Sequence, residues 1–353
     1  MQLSHLGLFI PPVRRLWVAR NALMRERDDL LTEVRRSAAE VAALKACIER
    51  LTTASKAAIT AGDAVAELQR IRQEDQRLRL QGRRIDFEYG YDPQPRPRHA
   101  LRRLIEPILA AGAESYRSQL AAFTALAPQL LNIVAKLDQP TAEPEWINDH
   151  IPGLDAVSIY GFLAVSNPRR YVEIGSGNST KFARQAIKDY GLRTRIVSID
   201  PSPRAEVDGI CDEVMRTTCE KVEPSFFEGL GPEDILFVDN SHRAFPNSDV
   251  TVFFTDILPA LSPGVLFGVH DIWTPNDYPV EWRDRWYNEQ YLLEAYLLGG
   301  FQRDEIILPA AWVSEQADLM AVMAPLFCDP RLRDVEPHGG AFWLRRLPLA
   351  DII

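Results

Sequence analysis

Residues 171–180 read Tyr-Val-Glu-Ile-Gly-Ser-Gly-Asn-Ser-Thr. An apolar run stops on two glycines and gives way to a helix-length segment that opens near Thr180. A strand that turns straight into a helix is the start of a βαβ unit, which commits the chain to a parallel sheet covered by helices. Gly175 and Gly177 permit backbone angles that a side chain blocks, and they let a ligand approach the main chain. Thr180 stands where a G-x-G-x-x-G turn carries its third glycine, and it is suited to capping the helix. Asp200 closes the next apolar run (IVSID), 25 residues after Gly175. An acid at that place accepts the hydroxyl protons of a ribose. Turn and acid together predict a nucleoside-containing cofactor.

The alternation continues downstream. Arg170–Ile174, Arg195–Ile199, Ile235–Val238 and Val265–Val269 are strand candidates, separated by helix-length segments. The fold class is therefore α/β, with a Rossmann-like sheet. Glu305–Leu308 and Ala341–Arg345 are expected to pair as an antiparallel addition to that sheet. A dinucleotide needs the free glycine turn for its pyrophosphate, whereas here Glu173 precedes the first glycine and the third glycine is lost. A carboxylate beside the cofactor suits a cation, and S-adenosylmethionine carries a sulfonium and an ammonium.

The motifs also resemble a family. VEIGSGNST followed by SID is similar to motif I and the ribose acid of class I S-adenosylmethionine-dependent methyltransferases. Glu145–Asp155, VDNSH at 238–242, HDIW at 270–273 and WYNEQYLLEAYL at 286–297 add to the likeness, which covers roughly residues 145–346. It points to a bacterial subgroup linked to glycan or secondary-metabolite modification. The resemblance implies a Rossmann-like class I methyltransferase sheet, with Glu173, Gly175, Ser176, Gly177, Asn178, Asp200 and Asp239 at the cofactor.

Two strand ends carry the candidate chemistry: Asp239-Asn240-Ser241-His242 and His270-Asp271. Methyl transfer to a hydroxyl needs an aligned acceptor and a route for its proton. In one reading His242 or His270 is the general base, with Asp239 and Asp271 orienting the acceptor. In the other, Asp239 and Asp271 bind Mg²⁺, which lowers the pKa of the hydroxyl. Metal-dependent catechol-type and macrolide-sugar enzymes place acids at these strand ends, although His270-Asp271 replaces the Asp-Asn pair usual in the catechol pattern. Trp273, Tyr278, Trp282, Trp286, Tyr287 and Tyr291 either line an acceptor pocket or form a packed lid. Asp256 is expected to face solvent. The acceptor is expected to be a sugar or another small molecule. The rival readings are an NAD-dependent oxidoreductase or epimerase, and a catalytically silent Rossmann-like scaffold.

The first part of the chain is different. Residues 14–83 contain no proline, and Leu30, Val34, Val41, Leu44, Ile48 and Leu51 hold a and d positions of about three heptads. This all-helical, partly coiled-coil region (1–88) is either a self-packed hairpin or a homodimer seam. A Pro-rich linker (89–100), a helical segment (101–144) with helices at Leu101–Ala111 and Tyr116–Leu137, and the methyltransferase domain (145–353) follow. Residues 1–103 carry 20 Lys+Arg and 13 Asp+Glu, whereas residues 104–353 carry 20 and 36. So acidic a catalytic part argues against a nucleic-acid substrate. No apolar run reaches the length of a transmembrane helix, and the first residues lack the pattern of a signal peptide. Cys47, Cys211, Cys219 and Cys328 form no C-x-x-C pair, which fits a reducing cytoplasm.

Overall fold

The structure is a computed structural model that describes residues 41–42, 45–46, 69–70, 99–203, 207–300 and 304–348. The chain divides into two compact units, Met1–Pro93 and Gln94–Ile353. In the first unit the few described residues are helical. The heptad seam as a whole, the homodimer expected of it and the linker as far as Arg98 lie outside the described residues. Among the described residues no helix is long and apolar enough to cross a membrane.

The second unit opens with α1 (His99–Ala110). This helix takes in His99 and Ala100, which the sequence reading gives to the linker. Pro97 is the last proline of that stretch, so nothing beyond it bars a helix. The helix expected over Tyr116–Leu137 is broken into α2 (Ala113–Thr124) and one turn at Ala127–Leu130. Pro128 supplies the reason, because it has no N–H to return to the carbonyl one turn back. A helix at Asp249–Val252, capped by the Ser248 side chain, runs into a π turn at Phe253–Ile257 ahead of Pro259.

A seven-stranded sheet follows in the order β3-β2-β1-β4-β5-β7-β6. β1 (Arg170–Ile174), β2 (Arg195–Ile199), β3 (Glu213–Met215), β4 (Asp234–Val238) and β5 (Leu266–Val269) are parallel. β7 (Phe342–Arg346) pairs antiparallel with β5 and with β6 (Asp304–Pro309). The expected antiparallel addition is therefore present, with β7 inserted between β5 and β6. β3 was not expected, being three residues on the half-exposed edge of the sheet.

α3 (Gly153–Ser166) is apolar around most of its circumference and is buried from Gly153 to Leu163, as a helix sandwiched in a core must be. Trp343 of β7 packs on Phe162 of α3 (4.7 Å between ring centroids) and on Phe237 of β4 (5.3 Å). Gly268 of β5 makes room for it, since a Cβ there would stand 2.8 Å from the indole. Trp343 is fully buried, and its Nε1 donates to Ser158 Oγ at 2.9 Å. Trp343→Ala is expected to cost about 3–5 kcal/mol, read as the shift of a denaturant unfolding midpoint. Unchanged stability would show that this stack is not the centre of the core.

Candidate active site

Register fixes the site. Ile174 pairs with Ile199 and with Val238, and Val238 pairs with Val269. The next residues, Gly175, Asp200, Asp239 and His270, therefore leave the sheet side by side along one edge. That edge is the carboxyl end of the strands, and the strand order reverses between β1 and β4. Ligands of open α/β sheets bind in this crevice.

The glycine turn is clamped to its neighbours. Gly175 N donates to Ile199 O (3.0 Å), and Asp239 N donates to Ile174 O (2.8 Å). Gly175 has φ +81°, and a Cβ there would lie 1.8 Å from the carbonyl oxygen of Asp239. Asp200 Oδ2 accepts from Ser176 N at 2.8 Å, and its Oδ1 accepts from Ser202 N at 2.7 Å. Thr180 Oγ1 accepts from Gly177 N at 3.0 Å, so it caps α4 (Asn178–Tyr190) as expected. Gly175, Ser176, Gly177, Asn178, Asp200 and Asp239 all line one cleft of about 1080 Å³. Glu173 does not line it. It lies buried below the turn, accepting from Tyr171 Oη at 2.9 Å and from the Thr180 hydroxyl in a short contact.

The second strand-end group forms a buried cluster around two imidazoles. His242 Nε2 faces Asp239 Oδ1 (3.3 Å) and Asp271 Oδ2 (3.4 Å), and His242 Nδ1 meets Glu289 Oε2 (2.9 Å). His270 Nδ1 faces Asp239 Oδ1 (3.3 Å) and Asp271 Oδ1 (3.6 Å), and His270 Nε2 meets Asp155 Oδ2 (3.1 Å). Asp239 thus belongs both to the cleft and to the cluster. His242 (φ 59°) and Asp271 (φ 57°) adopt left-handed backbone conformations, which strain a residue bearing a side chain.

Residues 172–272 match the family model described as a methyltransferase domain. Over these residues the chain carries a methyltransferase domain. No curated protein matches it. Among solved structures, a Podospora anserina methyltransferase bound to SAH is 16% identical, covering 55% of this chain and 79% of that one at a TM-score of 0.35. A Geobacter sulfurreducens methyltransferase is 14% identical over 56% and 81%, with a TM-score of 0.32. The mycinamycin-pathway methyltransferase MycE, solved with Mg and SAH, is 24% identical over 30% and 29%, with a TM-score of 0.23.

Two members of this cluster were given no role from the sequence. Asp155, in the first turn of α3, is fully buried and accepts from Gly340 N (2.7 Å) and Ala341 N (2.9 Å) as well as facing His270. Glu289, at the start of α6 (Glu289–Leu298; α5 is the Asp249–Val252 helix), also accepts from Asn240 Nδ2 at 3.1 Å. Asp256 is exposed, as expected. Tyr287 packs on His242 (4.6 Å), while Tyr278, Trp282 and Tyr291 form an edge-and-stack group beside it.

Burial alone would lower the pKa of both histidines. The carboxylates around them reverse this, Asp271 and Asp239 foremost at His242 and Asp239 and Asp271 at His270, and hold both well above the ordinary imidazole value. Burial likewise disfavours the Asp239 carboxylate, yet the imidazoles, His270 foremost, hold it well below the usual range. The cluster is an ionic network, and its charged imidazoles have no lone pair with which to accept a proton. Nor do these residues fit a divalent cation. The carboxylate oxygens of Asp239 and Asp271 already face cationic nitrogens, and among the described residues no His, Cys, Asp and Glu group is arranged to hold a metal ion.

Burial pushes the Glu173 carboxyl up to about 7 from 4.5. Between those values the folded state binds more protons than the unfolded one, so this group's contribution to stability falls as pH rises through the window. Glu173→Gln is expected to remove that fall. The difference in unfolding free energy between variant and wild type should therefore change across this window in urea titrations. A difference independent of pH would show that Glu173 ionises as an exposed carboxylate does.

Proposed function

We propose that this methyltransferase binds S-adenosylmethionine in the cleft and methylates a hydroxyl oxygen of a sugar or small molecule, with Asp271 receiving the proton. The observation that carries the reading is the double membership of Asp239. One side chain joins the cleft under the glycine turn to the ionic cluster, so cofactor and acceptor would meet across it.

The cleft suits the cofactor. Gly177 faces open space, with nothing within 4 Å of an added Cβ, so a ligand can lie against the backbone there. Asp200 holds the turn through one lone pair on each oxygen and keeps others for the ribose hydroxyls. Bound there, S-adenosylmethionine supplies a methyl group open to in-line attack. The protein's part is to place the acceptor, exclude water and take its proton.

Asp271 fits the last role better than either histidine. Its side chain is 17% exposed, it lies outside the cleft lining, and the imidazoles against it are charged. An acceptor hydroxyl can reach it from the side of Tyr287, whose ring, with Trp282, offers the flat apolar surface that sugars and small rings pack on. We also place the enzyme in a reducing cytoplasm, since Cys211, Cys219 and Cys328 are free thiols.

The test is calorimetric binding of S-adenosylmethionine, followed by release of S-adenosylhomocysteine over a panel of monosaccharide and phenolic acceptors. Asp200→Asn is expected to weaken cofactor binding by about tenfold or more. Asp271→Asn is expected to lower kcat by roughly 10²–10⁴-fold while leaving cofactor affinity in place. Absence of S-adenosylmethionine binding, or a wild-type rate in Asp271→Asn, would overturn the reading.

A further inference from the structure

Two guanidiniums converge on one tyrosine beside the ionic cluster. Arg243 Cζ lies 5.1 Å from the centroid of the Tyr287 ring, and Arg285 Cζ lies 5.7 Å from it. Arg285 also stands over Trp282, at 4.1 Å. Among the described residues neither guanidinium has a carboxylate within ion-pair distance, whereas Arg283 next to them faces Asp284 and Arg170, Arg184 and Arg346 each hold an acid. Arg243 instead donates from Nε to Arg285 O (2.7 Å) and from Nη1 to Ser241 O (3.0 Å), both main-chain carbonyls. Rings and carbonyls hold a guanidinium in place but carry no net charge, so they leave the positive charge and the remaining N–H donors to a ligand.

The pair is fixed to the side of the site where the acceptor is placed. Asn288 ties the two segments together, since its N donates to His242 O (3.0 Å) and its Oδ1 accepts from Ala244 N (2.6 Å). A short turn of helix, Val280–Arg285, ends at Trp286, whose φ of 58° turns the chain between Arg285 and Tyr287. Tyr287 packs on His242, and His242 faces Asp271. One ring thus links the guanidiniums to the cluster that holds Asp271. Neither arginine lines the cleft under the glycine turn, so an anion held by them is not part of the cofactor. Residues 104–353 carry 20 Lys+Arg against 36 Asp+Glu, a balance that repels an anion unless cations are gathered where it binds.

We infer that Arg243 and Arg285 bind an oxyanion on the methyl acceptor, which is therefore an acidic sugar or ring compound bearing a carboxylate or a phosphate; the assignment rests on the acceptor site proposed above. The planar fork of an arginine matches either group. Tyr287 and Trp282 then carry the acceptor's ring, and the anion at the arginines fixes which hydroxyl reaches Asp271. The charged imidazoles balance the carboxylates of the cluster, so it does not drive such an acceptor away.

The test is calorimetric binding to the full-length chain, with and without S-adenosylhomocysteine. Glucuronate and a glucose phosphate are compared with glucose, and protocatechuate with catechol. Wild type is expected to bind the charged member of a pair about ten- to a hundredfold more tightly, the worth of a charge-assisted hydrogen bond, and less so as salt is added. Tighter binding of glucuronate than of the phosphate assigns the carboxylate, and the reverse assigns the phosphate. Arg243→Gln and Arg285→Gln should each weaken the charged probe by about tenfold and leave the neutral one unchanged, and Arg285→Lys should regain part of the loss. If Arg243→Gln fails to fold, because its side chain joins two loops, Arg285→Gln carries the comparison. Equal binding of charged and neutral probes to wild type, or a preference undiminished in Arg285→Gln, overturns the assignment. Failure of wild type to bind S-adenosylmethionine overturns the cofactor reading instead, and the probes on the ligand-free chain still decide the role of the arginines.

Discussion

The backbone of Gly175 runs so close to the carbonyl of Asp239 that no side chain fits between them. The rest of the site depends on this contact. It exists because β1 and β4 pair in register to their last residues, because Asp239 N donates to Ile174 O across the gap, and because Gly175 N is held from the other side by Ile199 O of β2. The turn that faces the cleft and the acid that faces the ionic cluster are therefore one rigid piece. Methyl transfer tolerates little error in the line of attack, and a contact that leaves no slack between the two halves of the site suits that demand.

The cluster itself is expensive. Each charge taken from water costs several kcal/mol unless the geometry returns it, and each left-handed non-glycine residue costs about 1–3 kcal/mol. The structure meets this by closing the cluster with elements remote in sequence. Asp155 comes from a helix before the sheet and is fixed by two amides at the entry to β7. Glu289 comes from a helix after β5 and is fixed through Asn240. The antiparallel β7 thus does more than widen the sheet, because the segment leading into it, Gly340-Ala341, holds the acid that faces His270.

This division explains what the sequence made legible. β1 and β2 were readable to the residue, since each is a short apolar run between polar turns, and the glycine turn with Asp200 followed from local spacing. β3 was not readable, because Glu213–Met215 lies on an edge with one half-buried residue and shows no apolar run. Asp155 and Glu289 gave no local signal, for their partners lie 115 and 47 residues away. The charge state of the histidines was hidden for the same reason. An imidazole alone suggests a base, and only the surrounding carboxylates show that it is charged. Glu173 was rightly tied to the turn, yet its place one layer below the cleft follows from the packing of Tyr171 and Thr180.

Buried charges away from the cleft behave differently from those at it. Asp234 is held between Arg169 and Arg170 at 2.8 Å each, and although burial opposes it, the arginines bring its carboxyl down to about 2. Arg346 is buried against Asp304 at 3.1 Å. Each of these contacts joins segments of the fold, and neither involves a residue in a left-handed conformation. At the carboxyl edge of the sheet the pattern reverses. His242 and Asp271 are strained, and His242 and His270 share acids with each other. Packing alone selects against every one of these features, since an apolar side chain of similar size would be cheaper. Their concentration along one edge, under one glycine turn, is what a site shaped around a ligand leaves behind in a fold that is otherwise well paired.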